Sequence, residues 1–247
     1  MKVLGIESSC DETAAAVVED GRTILSSVVA TQIPFHEAYK GVVPEIASRK
    51  HTEWILPVVK TALQDAGETL QTVDGIAVTS RPGLMGSLLV GLTFAKTLAW
   101  SCNKPFIAVN HMLGHLYAAH LEQDIPYPYL GLLVSGGHSL ICKVSDFDSI
   151  EVLGSTIDDA PGEAFDKVAK FYNFGYPGGV IIDRLAKQGN PKAANFPMPV
   201  LHEAGRRYDV SYSGLKTAVI NQLDQFWNPG YEKTPENIAA AFQSRAV

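Results

Sequence analysis

Two histidines stand four residues apart in His111-Met112-Leu113-Gly114-His115. Four residues of α-helix turn through about 400°, so both imidazoles would project from one face, within reach of a single divalent cation. The apolar run Pro105-Phe106-Ile107-Ala108-Val109-Asn110 reads as a short buried strand that feeds this helix. His120, nine residues past His111, falls about half a turn out of phase and should point away. The pair is a half-site for a divalent metal, although seven histidines can also place two at this spacing by chance. One chemistry is excluded. A zinc-protease helix needs a glutamate directly after its first histidine, and Met112 stands there.

A second group of residues suits phosphate and sugar rather than metal. Leu133-Val134-Ser135-Gly136-Gly137-His138 passes from an apolar strand into a tight turn, where backbone N–H groups could meet phosphate oxygens. A plain hairpin turn is the other reading. Glu163 and Asp166, three apart in an amphipathic helix, could share a face, and a solvated helix surface fits them equally well. Gly178-Gly179 opens a helix that contains Asp183, and a glycine pair there can admit a ligand closely.

The elements that position these residues come in two similar series. Lys2 to Glu7, Ala14 to Val18 and Thr23 to Ala30 read as strands, with Asp20-Gly21 as a hairpin turn. A helix follows from Pro44, a suitable first-turn proline, towards Gly67, and Pro57 should kink it. Next come a strand at Asp74 to Ser80 and an apolar helix at Leu84 to Trp100. Gly86, Ser87 and Gly91 would let that helix pack closely, and the strand and histidine helix complete a βββαβαβα order. The order restarts at Tyr129 to Val134, Ser139 to Val144 and Ile150 to Gly154. One repeat of this length implies an α/β fold of two lobes, residues 1–125 and 126–247, facing across a nucleotide cleft of the actin, sugar-kinase and Hsp70 type. Residues 189–209 read as a loop, Ser211 to Thr217 as a helix start, and Pro235 to Val247 as a helix that leaves the second lobe incomplete.

Composition narrows the setting. Apolar residues are 46% and charged residues 19%, an ordinary globular balance, and no apolar run has membrane-spanning length. Cys10, Cys102 and Cys142 are odd in number and spread out, which argues against a disulfide framework and for a reducing cytoplasm. The net charge of −6 means that a nucleic acid would have to be held by local patches, for which Arg49, Lys50, Arg81 and Arg206-Arg207 are candidates, or by other subunits.

Six motifs then carry a resemblance. Gly5 to Thr13, Gly41 to Arg49, His111 to His115, Leu133 to His138, Gly162 to Lys167 and Ser211 to Lys216 resemble, in order, the tRNA N6-adenosine threonylcarbamoyltransferase family, bacterial branch. That family was formerly catalogued as O-sialoglycoprotein endopeptidases. The resemblance implies transfer of threonylcarbamoyl from threonylcarbamoyl-AMP to N6 of adenosine 37 in ANN-decoding tRNAs. It implies iron or zinc on His111 and His115, and adenylate contacts from Leu133, Val134, Ser135, Gly136, Gly137, Asp166, Gly179 and Asp183. It also implies two partners, a scaffold paralogue and a small ATPase. The general base is not visible in the sequence. Family members continue beyond the length seen here, with a metal-binding aspartate among the additional residues, so the resemblance implies a C-terminally shortened chain that is expected to be inactive even with its partners and the adenylate supplied. The apolar face of the last helix, Ile238, Ala241 and Phe242, should then be exposed. The alternatives are the non-catalytic scaffold paralogue, which lacks the histidine pair, and a small-molecule kinase of the same fold, whose signature is missing.

Overall fold

The computed structural model describes residues 1–201 and 206–247; residues 202–205, within the expected 189–209 loop, lie outside the described residues. Two compact units, Met1–Ile125 and Pro126–Val247, divide the chain.

The first unit is a five-stranded sheet. Strands β1 (Lys2–Glu7), β2 (Glu12–Glu19) and β3 (Thr23–Thr31) form an antiparallel meander. Asp20 and Gly21 both take positive φ at the β2–β3 turn, and the Arg22 amide donates to the Glu19 carbonyl at 3.0 Å. This is the twist that a two-residue Asp-Gly hairpin favours. A short helix α1 (Ile33–His36) leads to α2 (Pro44–Asp65), which runs through Pro57 as one continuous helix. Strand β4 (Gly75–Arg81), helix α3 (Met85–Ser101) and strand β5 (Phe106–Asn110) follow. The strand order is β3-β2-β1-β4-β5, with β1, β4 and β5 parallel. Leu4, Ile6, Val17, Ile76 and Val78 pack with Ile55, Val59 and Ala62 of α2 and Ala95 of α3. Spacings of three and four on α2 place its apolar residues on one stripe, which covers the alternating inward positions of the strands. A Cβ on Gly91 of α3 would sit 2.2 Å from Ser8 Oγ, so this helix needs glycine to come so close to the end of β1.

The second unit opens on an antiparallel sheet of β6 (Tyr129–Val134), β7 (Ser139–Asp146) and β8 (Ser149–Ser155). It matches the first three strands of the first unit, and among the described residues helices take over after β8. In the first unit, helix α4 (His111–Ala118) follows β5; in the second, α5 (Pro161–Phe171), α6 (Gly178–Ala186), α7 (Tyr212–Asn221), the short α8 (Leu223–Phe226) and α9 (Pro235–Ala246) form the helical layer. Contrary to the exposed face expected for the last helix, Ile238, Ala241 and Phe242 are buried, the latter two completely. The reason is local packing. Helix α9 lies on α6 and α7, its Phe242 ring 4.8 Å from that of Phe165, in a core with Val168, Ile182 and Leu215. Removing a phenyl ring from such a position typically costs about 3–5 kcal/mol.

Candidate functional site

Parallel pairing puts the carboxyl ends of β1, β4 and β5 at one edge of the sheet, where α/β sheets usually bind ligands. Strand β1 ends there on Glu7, β4 carries Thr79 near its end, and β5 ends on Asn110. The Asn110 side chain caps α4, accepting from the amides of Met112 at 2.9 Å and Leu113 at 3.4 Å. His111 is therefore the first residue of its helix and His115 lies one turn on. Their Nε2 atoms are 3.0 Å apart, with the rings nearly perpendicular at 84°. Two nitrogens bound to one tetrahedral zinc, each at 2.0–2.1 Å, would stand about 3.3 Å apart. The observed separation is close to that spacing, and it is equally a hydrogen-bond distance between the two rings.

The far side of His111 is tied down. Its Nδ1 is 3.0 Å from Glu7 Oε2 and 3.2 Å from Ser9 Oγ. Glu7 also accepts the Ser9 amide and the Thr79 hydroxyl. Burial pushes the Glu7 carboxyl up, but bonds from His111, Ser9 and Thr79 outweigh it and hold the group at about 2. Burial first, then the neighbouring His111, keeps His115 below the usual histidine value and so favours its neutral form. Among the described residues no group of three histidine, cysteine or carboxylate side chains is arranged to hold a metal. Glu7 was not foreseen from the sequence. The one available signal was a carboxylate at the carboxyl end of the expected strand Lys2 to Glu7.

The second unit holds a cavity of about 600 Å³ beneath its sheet. Val134, Ser135 and Gly136 from the β6–β7 turn and Gly179 from the start of α6 line it. Leu133 points into the core, and Gly137 stands outside the lining with open space where a Cβ would be. The turn is closed by the Ser135 amide donating to the His138 carbonyl at 2.8 Å and the His138 amide donating to Ser135 Oγ at 3.1 Å. Asp166 Oδ1 accepts the Gly178 amide at 2.7 Å and so fixes where α6 begins. Glu163 instead pairs with Lys167 at 2.8 Å, so the two acids of this helix serve different contacts. Asp183, one turn beyond Gly179, is held by Lys187 at 2.7 Å and Gln243 at 3.1 Å and lies outside this cavity.

The two units, each built on a βββ meander with covering helices, define a protein of the actin-like and sugar-kinase fold class. Component A of the Acidaminococcus fermentans (R)-2-hydroxyglutaryl-CoA dehydratase superposes with a TM-score of 0.53 at 13% identity, over 100% of this chain and 74% of its own. The chain belongs to the family described as TsaD, tRNA N6-adenosine threonylcarbamoyltransferase, whose match spans residues 23–247. A Treponema denticola protein of that name is 83% identical over 100% of this chain and 73% of its own length. One from Brachyspira hyodysenteriae is 55% identical over 100% of this chain and 72% of its own. The chain is thus a transferase of the tRNA-modifying class, and no helix among the described residues is long and apolar enough to cross a membrane.

Proposed function

We propose that the chain transfers the threonylcarbamoyl group of threonylcarbamoyl-AMP to N6 of adenosine 37 in ANN-decoding tRNAs. The amine nitrogen forms a bond to the carbamoyl carbon, the bond from that carbon to the phosphate oxygen breaks, the amine loses a proton and AMP leaves. Beyond family membership, the reading is carried by the approach of His111 Nε2 and His115 Nε2 to 3.0 Å of each other. These two side chains would hold iron or zinc. A divalent metal bound there would supply Lewis-acid polarisation of a carbonyl oxygen. The chain's own contribution is placement. The Val134–Gly137 turn and Gly179 bring backbone donors to the adenylate phosphate, while Asp166 offers a carboxylate oxygen for ribose hydroxyls; the contact that the resemblance implies for Asp183 would require it to exchange its bonds to Lys187 and Gln243. Leu133 anchors the turn from the core side. A scaffold paralogue and a small ATPase are the proposed partners, in the cytoplasm. The scaffold role is disfavoured for this chain itself, because a scaffold has no use for two imidazoles aimed at each other.

Two measurements test the proposal. Elemental analysis of the purified protein should find about one divalent metal per chain, lost on joint His111→Ala and His115→Ala substitution. Mass spectrometry of nucleosides from tRNA incubated with the adenylate and the partners should show modified adenosine with this sequence extended to the length of its relatives, and none when the extended chain carries both substitutions. Equal metal content in the two proteins would remove the metal from the account, and unmodified tRNA in both reactions would remove the transfer.

A further inference from the structure

We propose that Glu7 is a positioning residue of the histidine site, fixing the proton of His111 on Nδ1 so that the Nε2 lone pair faces the point where His115 converges. The inference rests on the metal reading above and adds to it the group that prepares the ligand. Three contacts immobilise the Glu7 side chain: the Ser9 amide on Oε1, and the Thr79 hydroxyl and His111 Nδ1 on Oε2. The first two partners both donate to Glu7, and a carboxylate is a much weaker base than an imidazole, so the proton shared with His111 rests on the ring. An ionised oxygen 3.0 Å from Nδ1 requires that the hydrogen between them belong to the imidazole. The competing arrangement has the Ser9 hydroxyl, 3.2 Å away, donating to Nδ1. It would set a nitrogen lone pair against the carboxylate charge, and loses on electrostatics.

With the proton on Nδ1, Nε2 of His111 carries the lone pair, and it lies 3.0 Å from Nε2 of His115. Glu7 touches the ring from the side away from that convergence, so it orients a ligand and does not itself ligate. The arrangement is a carboxylate–histidine pair behind a metal position, in which the outer partner sets tautomer and ring angle. It also explains a feature of the fold. Thr79 of β4 and Glu7 of β1 sit on neighbouring parallel strands, so the sheet itself holds the carboxylate still.

The test uses Zn²⁺ alone as the probe and the whole chain as the protein. Calorimetric titration of the metal-free protein should show Zn²⁺ binding weakened about 10–100-fold by Glu7→Gln, with the thermal melt unchanged. His111→Ala should abolish the site. Nitrogen NMR of metal-free wild type should find the His111 proton on Nδ1, a readout that a merely structural glutamate would not move. If Glu7→Gln fails to fold, Thr79→Val removes only the hydroxyl that steadies Oε2 and should give a smaller loss of affinity. Unchanged Zn²⁺ affinity in the folded Glu7 or Thr79 variant, beside loss in His111→Ala, overturns the role of Glu7 and leaves the metal reading standing. A wild-type His111 protonated on Nε2 overturns it as well. A wild type that binds no Zn²⁺ overturns the metal reading, and the spectrum separates that failure from failure of the Glu7 assignment, because it reports the Nδ1 proton with or without metal.

Discussion

A Cβ added to Gly162 would stand 2.7 Å from the Cα of Gly136 and 3.3 Å from the carbonyl oxygens of Ser135 and Gly136. All three are backbone atoms, which cannot swing aside as the end of a side chain can. Gly137, one residue along in the same turn, has nothing within 4 Å of an added Cβ. The fold therefore requires glycine at 162 and leaves room for a side chain at 137. Gly162→Ala should lower the unfolding free energy by about 1–3 kcal/mol, the usual cost of overpacking, as read from urea denaturation. Gly137→Ala should change stability by no more than about 1 kcal/mol, in either direction. If the turn meets the adenylate phosphate, Gly137→Ala should still weaken adenylate binding in a calorimetric titration. A stable Gly162→Ala protein would show that the 135–137 turn is free to shift and is not a rigid part of the cavity wall.

At the level of elements, the histidine site depends on a helix of 8 residues, a length that is marginal without help. Asn110 supplies that help at the first turn, where His111 itself sits. Asn110→Ala should cost about 1 kcal/mol. It should also speed hydrogen exchange at the Met112 and Leu113 amides, the two that the side chain now holds. Exchange at wild-type rates would mean that the cap does not steady this turn. A second element-level device ties the β8–α5 loop to two helices, through Asp159 bonded to Lys167 of α5 and Lys216 of α7. Burial raises the Asp159 carboxyl, but the two lysines outweigh it and leave the group below its usual 3.8. A carboxyl lowered by folding adds stability that is fully present above the unfolded value and is lost as the pH falls through the folded one. Wild-type protein should therefore lose stability below about pH 4 more steeply than Asp159→Asn, measured as urea midpoints across that range. Parallel curves would dismiss the ion pairs as a source of acid sensitivity.

These elements also show what can be read from sequence. The histidine pair and the Asp20-Gly21 hairpin are legible because helical period and turn geometry are local properties. Glu7 is not, because it is 104 residues from His111 and only the pairing of β1, β4 and β5 joins them. Asp166 is visible as a carboxylate, yet its bond to the Gly178 amide depends on how α6 meets α5. The apolar face of α9 is equally plain in the sequence, whereas the neighbours that bury it come from α6 and α7, whose packing no periodicity specifies.

For the whole molecule, the charge balance sets the terms on which a polyanion is met. Twenty lysines and arginines face twenty-six acids, a net charge of −6, so the average field repels nucleic acid. Much of the basic charge is also used internally. Lys2 pairs with Glu68, Lys187 with Asp183, and Lys167 and Lys216 share Asp159. Lys50, one of the residues suited to a local contact, pairs with Glu53 at 2.7 Å and lies over the Phe35 ring at 4.5 Å. A transferase acting on tRNA with this surface must rely on a few local contacts, with the proposed partners providing the rest. The chain alone should bind tRNA weakly, and each phosphate it neutralises should add about −0.7 to −0.9 to the slope of log affinity against log salt. Arg81→Ala, and separately joint Arg206→Ala and Arg207→Ala, should each make that slope shallower if those side chains touch phosphate. Fluorescence titrations from about 50 to 200 mM salt cover the range in which such contacts are lost. Tight binding by the isolated chain that ignores salt would contradict this account, because it would require recognition of bases or shape by a surface that gains nothing from the phosphates.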